Sequence, residues 1–186
     1  AAGTTEIANT SIGWHLESGR LILGTGRVPD SDPFSFTSAG APWIDHEWLF
    51  QVVVAGVEDV AGAPGLVLLR SCLLAALAAL LLAFGLRSGL DPPAALTLAA
   101  LSLWGAQIRF FLRPELATLL VVPIVVWLFL HRDRFRSPWW LLAIAGLMAL
   151  GANLHGGVLV APPLLATILV GQWLGSRLGA PAARSP

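Results

Sequence analysis

Five apolar stretches crowd the chain after residue 64, at roughly 65–86, 93–111, 115–131, 138–154 and 157–175. They are too long and too closely spaced to form the core of one soluble domain, so the chain reads as an integral membrane protein. Composition agrees. Only 12% of the 186 residues are charged and 56% are hydrophobic, whereas a soluble domain carries about 25% charged residues. The expected fold is all-α, a transmembrane helical bundle of about five spans. Several strictly apolar cores hold only about 15 residues, roughly 22 Å of helix, against a hydrocarbon layer of ~30 Å. Flanking residues must complete them. Trp104, Trp127, Trp139, Trp140 and Trp173 sit mostly towards segment ends, as interfacial tryptophans do. Pro123 and the Pro162–Pro163 pair are expected to kink their helices.

Charge divides the chain into two regions. Residues 1–64 hold eight acids against Arg20 and Arg27, and the remainder holds nine arginines against Asp91, Glu115 and Asp133. Threading the five spans alternately puts Arg87, Arg132, Arg134, Arg136, Arg177 and Arg184 on one side, which the positive-inside rule makes cytoplasmic. The other side receives residues 1–64, the "RFFLRPE" turn and the "NLHGG" turn. Three regions are expected: an extracytoplasmic loop with juxtamembrane helices (1–64), a transmembrane region (65–178) and a cytoplasmic tail (179–186). The expected location is a bacterial plasma (inner) membrane, crossed several times. Cys72 is the single cysteine, so no internal disulfide is possible. The chain starts at Ala1 without methionine, signal peptide or anchoring helix, and is expected to be a fragment of a longer protein.

Within the first region, "SIGWHLESGRLIL" reads as a short helix capped by Thr10 or Ser11 and ended by Gly24 and Gly26. Ile12, Leu16 and Leu23 share one stripe, with Trp14 and Leu21 opposite, so the helix needs apolar neighbours on two sides, as at a membrane surface. "VPDSDPFSFTSAGAPW" is a structured loop. A second helix restarts at Asp45 and stops at Gly62, before Pro64; Glu58 and Asp59 make it interfacial or shallowly inserted.

Several familiar signatures fail. "HEWLF" has a phenylalanine where the second histidine of a zinc protease belongs, and "GTGRVP" lacks the third glycine of a dinucleotide loop. No resident metal or cofactor is expected, although a divalent cation stays open, and no nucleic-acid partner is expected. The extracytoplasmic acids carry the functional interest. Asp32 and Glu47, with Glu17, are candidate carboxylates for activating an acceptor hydroxyl as general base. The plainer reading is that Asp45 and Glu47 cap a helix and Asp32 starts a turn. Arg109 and Arg113 flank an aromatic stretch where arginine breaks the positive-inside trend. They either snorkel to headgroups or hold a phosphate in a bidentate fork. "GANLHGG" places Asn153 and His155 at an outer helix end, as a binding site or a polar turn.

The stretches "GWHLESGRLILGTGRVPDSDPFSFTSAGAPWIDHEWL", "LRPEL" and "NLHGG" resemble bacterial multi-span glycosyltransferases of the GT-C class. These are relatives of the dolichyl-phosphate-mannose protein mannosyltransferases and the lipid A aminoarabinose transferase. The resemblance implies transfer of a sugar from a polyprenyl-phosphate carrier to an extracytoplasmic lipid, glycan or protein. It also implies that a first transmembrane helix and later helices lie outside this chain. His15, Arg20, His46, Arg109, Arg113, Asn153 and His155 are the candidate substrate-binding residues, and Arg70 matches an arginine common after the loop. Relatives usually carry an acidic pair just before the "WHL" helix. Asn9 and Ser11 stand there in this chain, so Glu6, Glu17 or Asp32 substitutes or the copy is inactive. The alternative class is a transporter or a non-catalytic membrane scaffold. A transporter would place ionisable groups near mid-membrane, whereas here they collect at one surface.

Overall fold

The computed structural model describes residues 11–135 and 137–178. Glu6, Asn9, Thr10, Arg136 and the expected tail 179–186 lie outside them. The described chain is all-helical: α1 (Ser11–Thr25), α2 (Trp48–Arg87), α3 (Pro92–Ala106), α4 (Glu115–Leu130), α5 (Trp139–Leu154) and α6 (Ala161–Arg177). Short 3₁₀ turns follow α3, α4 and α5 at Gln107–Arg109, Arg132–Arg134 and Gly156–Val160. Among the described residues the nearest approach to a sheet is one isolated bridge, Ser31 to Pro42.

α2 contains the stop expected at Gly62. That residue has φ +60 and ψ −161, a conformation open to glycine and strained for other residues, and it divides α2 into two helices just before Pro64. Glu58 and Asp59 lie before the break. From Ala63 to Arg87 the helix is apolar and runs about 37 Å. Two helical runs are long and apolar enough to cross a membrane: α2, and the 22 residues Gly156–Arg177. The other three expected spans are apolar but shorter, with 15 residues in α3 and 16 in each of α4 and α5. Two features limit them. α3 tightens into the 3₁₀ turn Gln107–Arg109, and α5 ends at extended His155. The Pro162–Pro163 pair does not kink α6; it occupies the first turn, where a missing N–H costs nothing.

α1 packs on the first half of α2, and its buried face differs from the apolar stripe. That face runs through His15, Ser18, Gly19 and Ile22, while Leu23 is exposed. Small residues explain the difference. A Cβ on Gly19 would lie 2.1 Å from the Gln51 carbonyl oxygen and 2.7 Å from the Ala55 Cβ. The crossing is therefore too close for any larger side chain. Ile12 and Leu16 pack against a core of Phe50, Val54, Leu66, Leu112 and Leu116. On the opposite side, Trp14 meets Phe34 and Trp43 at ring distances of 5.2 and 5.1 Å. The second apolar neighbour of α1 is thus the loop itself. Asp32 N–H donates to the Ala41 carbonyl and Trp43 N–H to the Asp30 carbonyl, each at 2.9 Å, closing that loop on itself.

Gly19→Ala is expected to cost about 2 kcal/mol or more, because the methyl group forces α1 off α2. Gly13→Ala, with open space around it, should be neutral or stabilising by about 0.5 kcal/mol. Thermal unfolding of the two variants in detergent checks this; equal losses would show that the crossing tolerates a side chain.

Candidate functional site

Four segments far apart in sequence meet beyond the start of α2: His15 of α1, residues 45–48, the beginning of α4, and the junction from α5 to the 3₁₀ turn. The arrangement begins with Asp45, which is buried. Its Oδ1 accepts the Glu47 N–H at 3.3 Å and the Gln51 side-chain amide at 2.8 Å. Asp45 therefore shapes the turn into α2, although the helix itself starts at Trp48. Trp48 then donates its indole N–H to Asn153 Oδ1 at 2.7 Å, and Asn153 donates its amide to the Ala149 carbonyl at 2.8 Å. The first bond joins the start of α2 to the last turn of α5, and the second holds Asn153 on its own helix.

Glu47 sits at the junction with 22% of its side chain exposed. Its Oε1 lies 3.7 Å from His155 Nε2 and 3.7 Å from His46 Nε2. Burial raises the Glu47 pKa; His155 and His46 oppose that rise, and Glu115 and Asp45 add to it. A carboxylate held partly out of water has a higher proton affinity than an exposed one, which suits it to accept a proton. Asp45 is also raised, by burial, against the Glu47 N–H and Gln51 bonds that stabilise its charge.

His15 packs beside the first turn of α2. It is 5% exposed and packs edge-on to Phe50 at 5.3 Å, and its Nδ1 finds no hydrogen-bond partner. Burial lowers its pKa to about 4; Glu115 opposes this and Arg113 reinforces it. Glu115 thus acts electrostatically on both His15 and Glu47. Arg113, just before α4, stacks its guanidinium 5.7 Å from the Phe111 ring centroid.

The other candidates lie elsewhere. Glu17 and Arg20 pair at 2.6 Å on the exposed side of α1, and Arg20 also reaches Glu58 at 2.6 Å and Asp59 at 4.0 Å. That network ties α1 to α2 near the Gly62 break. Asp32 Oδ1 accepts the N–H groups of Phe34 and Ser35 at 2.9 and 3.0 Å, and bonds from Ser35 and Phe34 lower its pKa. It closes a turn. Arg109 ends the 3₁₀ turn after α3 and is exposed. Arg70 is fully buried in the second half of α2.

Sequence reasoning missed Thr118 as a site residue. Its Oγ1 lies 2.8 Å from His155 Nδ1, and the Gly157 N–H donates to the same nitrogen at 3.1 Å. The available signal was a hydroxyl three residues after Glu115 in an otherwise apolar helix. Among the described residues no three His, Cys, Asp or Glu side chains form a group able to hold a metal ion. No family model, curated protein or solved structure matches the chain.

His15 generates a pH prediction. Its folded pKa lies below the ordinary 6.5, so on acidification the unfolded chain takes the proton first. The stability of neutral, buried His15 is complete above pH 6.5 and is lost as pH falls towards 4. The wild-type unfolding temperature should therefore fall more steeply than that of His15→Leu over this interval. Parallel curves would place His15 in water.

Proposed function

We propose that the chain is the site-bearing part of a membrane glycosyltransferase that moves a sugar from a polyprenyl-phosphate donor to an acceptor hydroxyl outside the cytoplasm. The substrate class comes from the resemblance of the "WHLESGR", "DPFSFT", "PWIDHEWL", "LRPEL" and "NLHGG" stretches. The single observation that carries the reading is Glu47: a partly buried carboxylate of raised pKa, set between two imidazoles where the "PWIDHEWL" and "NLHGG" stretches meet.

In this reading Glu47 takes the proton from the acceptor hydroxyl. The oxygen forms a bond to the anomeric carbon, the bond from that carbon to the phosphate oxygen breaks, and polyprenyl phosphate leaves. Arg113 balances the charge that grows on the departing phosphate, with a planar fork suited to two parallel hydrogen bonds. Trp48 and Asn153, bonded to each other beside Glu47, are the groups available to contact the sugar.

A five-span arrangement in the bacterial inner membrane is part of the proposal, with the Glu47 end outside. Its support is threefold. α3, α5 and α6 leave Leu98, Leu101, Leu141, Leu142, Leu169 and Val170 exposed, faces that lipid would cover. At the opposite end, Arg87 lies 5.4 Å from the Trp127 ring and Arg132 bonds Gln172 at 3.0 Å, which gathers the C-terminal ends of α2, α4 and α6 into one arginine-rich surface. Trp104, Trp139 and Trp173, all exposed, supply the interfacial residues that complete short spans.

Glu47→Gln in the complete protein is expected to lower transfer roughly 10²–10⁴-fold at unchanged yield of folded protein. Arg113→Lys should lose most activity although the charge is kept. Both are read as transfer rate against donor concentration, normalised to folded protein. Wild-type turnover in Glu47→Gln would remove Glu47 as the base, and wild-type behaviour of Arg113→Lys at every donor concentration would remove bidentate phosphate recognition.

A further inference from the structure

We infer that Thr118 and His155 form a positioning pair that fixes one imidazole tautomer and directs its N–H at the Glu47 carboxylate. The base role of Glu47 rests on the function proposed above, whereas the pairing rests on geometry alone.

The argument runs through one nitrogen. The Gly157 N–H donates to His155 Nδ1 at 3.1 Å. A backbone N–H can only donate, so Nδ1 presents its lone pair, and in the neutral ring the proton resides on Nε2. Thr118 Oγ1 stands 2.8 Å from the same Nδ1, which already acts as an acceptor, so the hydroxyl donates as well. Both donors favour one tautomer. Nε2–H then faces Glu47 Oε1 across 3.7 Å. That separation exceeds a hydrogen bond, and an inward movement of about 1 Å or less brings the pair within range.

Backbone geometry guards the arrangement. A Cβ on Gly157 would lie 2.6 Å from His155 Nδ1 and 2.9 Å from Thr118 Oγ1, so only glycine lets the chain approach this ring. His46 also lies 3.7 Å from Glu47, but its side chain is 64% exposed, whereas that of His155 is 21% exposed. His155 is the fixed partner. A plainer role exists, since His155 accepts the Gly157 N–H as the cap of the 3₁₀ turn Gly156–Val160. A cap needs one acceptor atom. It needs neither a proton on Nε2 nor a hydroxyl at Thr118.

The test reads proton affinity at Glu47 instead of turnover. A hydrophobic carbodiimide modifies protonated carboxyl groups, and mass spectrometry locates the adduct; Glu47→Gln identifies its signal. The full-length protein in membranes is labelled across a pH series as wild type, His155→Asn, Thr118→Val and Thr118→Ser. Asparagine keeps the cap acceptor but has no group that reaches Glu47. The other groups facing Glu47, namely Asp45 and His46 on its own segment and Glu115 on α4, are the same in every variant. Losing an N–H aimed at the charged form raises a carboxyl pKa, so His155→Asn should move the labelling midpoint up by roughly one pH unit. Thr118→Val should move it the same way by less, and Thr118→Ser should restore it. Wild-type midpoints in both His155→Asn and Thr118→Val would overturn the inference and leave His155 as a cap only. If His155→Asn does not fold, the Thr118 variants decide alone: equal midpoints for valine and serine overturn the pairing. Absence of sugar transfer would count against the proposed function and not against this pairing.

Discussion

Gln51 is the residue on which the packing of α1 against the start of α2 depends. Its backbone carbonyl is the surface against which Gly19 of α1 closes, and its side-chain amide holds Asp45. One residue thus links a helix crossing to the turn that presents Glu47. The crossing has no slack, since Ser18 and Gly19 are buried and nothing larger fits at Gly19. The bond from Gln51 to a buried carboxylate is of the stronger kind, worth about 1.5–3 kcal/mol. Without it Asp45 would lose one of the two bonds that stabilise its charge.

Near that anchor a series of side-chain bonds links α2, α5 and α4. Trp48 bonds Asn153, Asn153 bonds its own helix, and His155 is held by Gly157 and Thr118. Those bonds satisfy part of the cluster, while His15 Nδ1, Asp45 Oδ2 and Gln51 Oε1 are buried without a hydrogen-bond partner among the described residues, which is costly beside apolar helices. The Gly62 break separates this region from the long apolar half of α2. Glu58 and Asp59, paired with Arg20, stay on the near side of that break. A straight 40-residue helix would carry those charges into the apolar run.

Much of the architecture was legible in the sequence. Apolar runs between turn residues located α3, α4, α5 and α6 to within a few residues, and Gly62 before Pro64 marked the break in α2. The buried face of α1 was not legible, because His15, Ser18 and Gly19 score as polar or neutral while packing tightest. Site residues divided by the same logic. His46, Glu47, Asn153 and His155 stood in unusual compositions at segment ends, and they converge. Asp32 belonged to an equally unusual stretch, yet its carboxylate closes a local turn. Sequence shows an acid in a loop but not whether nearby N–H groups already occupy it. Thr118 was hidden because one hydroxyl in an apolar helix ordinarily bonds its own backbone, as Thr97 and Thr167 do here.

Convergence of residues 45–48 with residues 153–157 is the central claim, and a thiol pair tests it most directly. A side chain at Gly156 has room and would meet the His46 ring at 3.6 Å. His46→Cys with Gly156→Cys, in a Cys72→Ser background of the full-length protein in membranes, should therefore be bridged within one chain by a short thiol cross-linker. The expected result is rapid, near-complete bridging. If each cysteine reacts singly with a maleimide but no bridge forms, the two segments do not meet and the site described here does not exist.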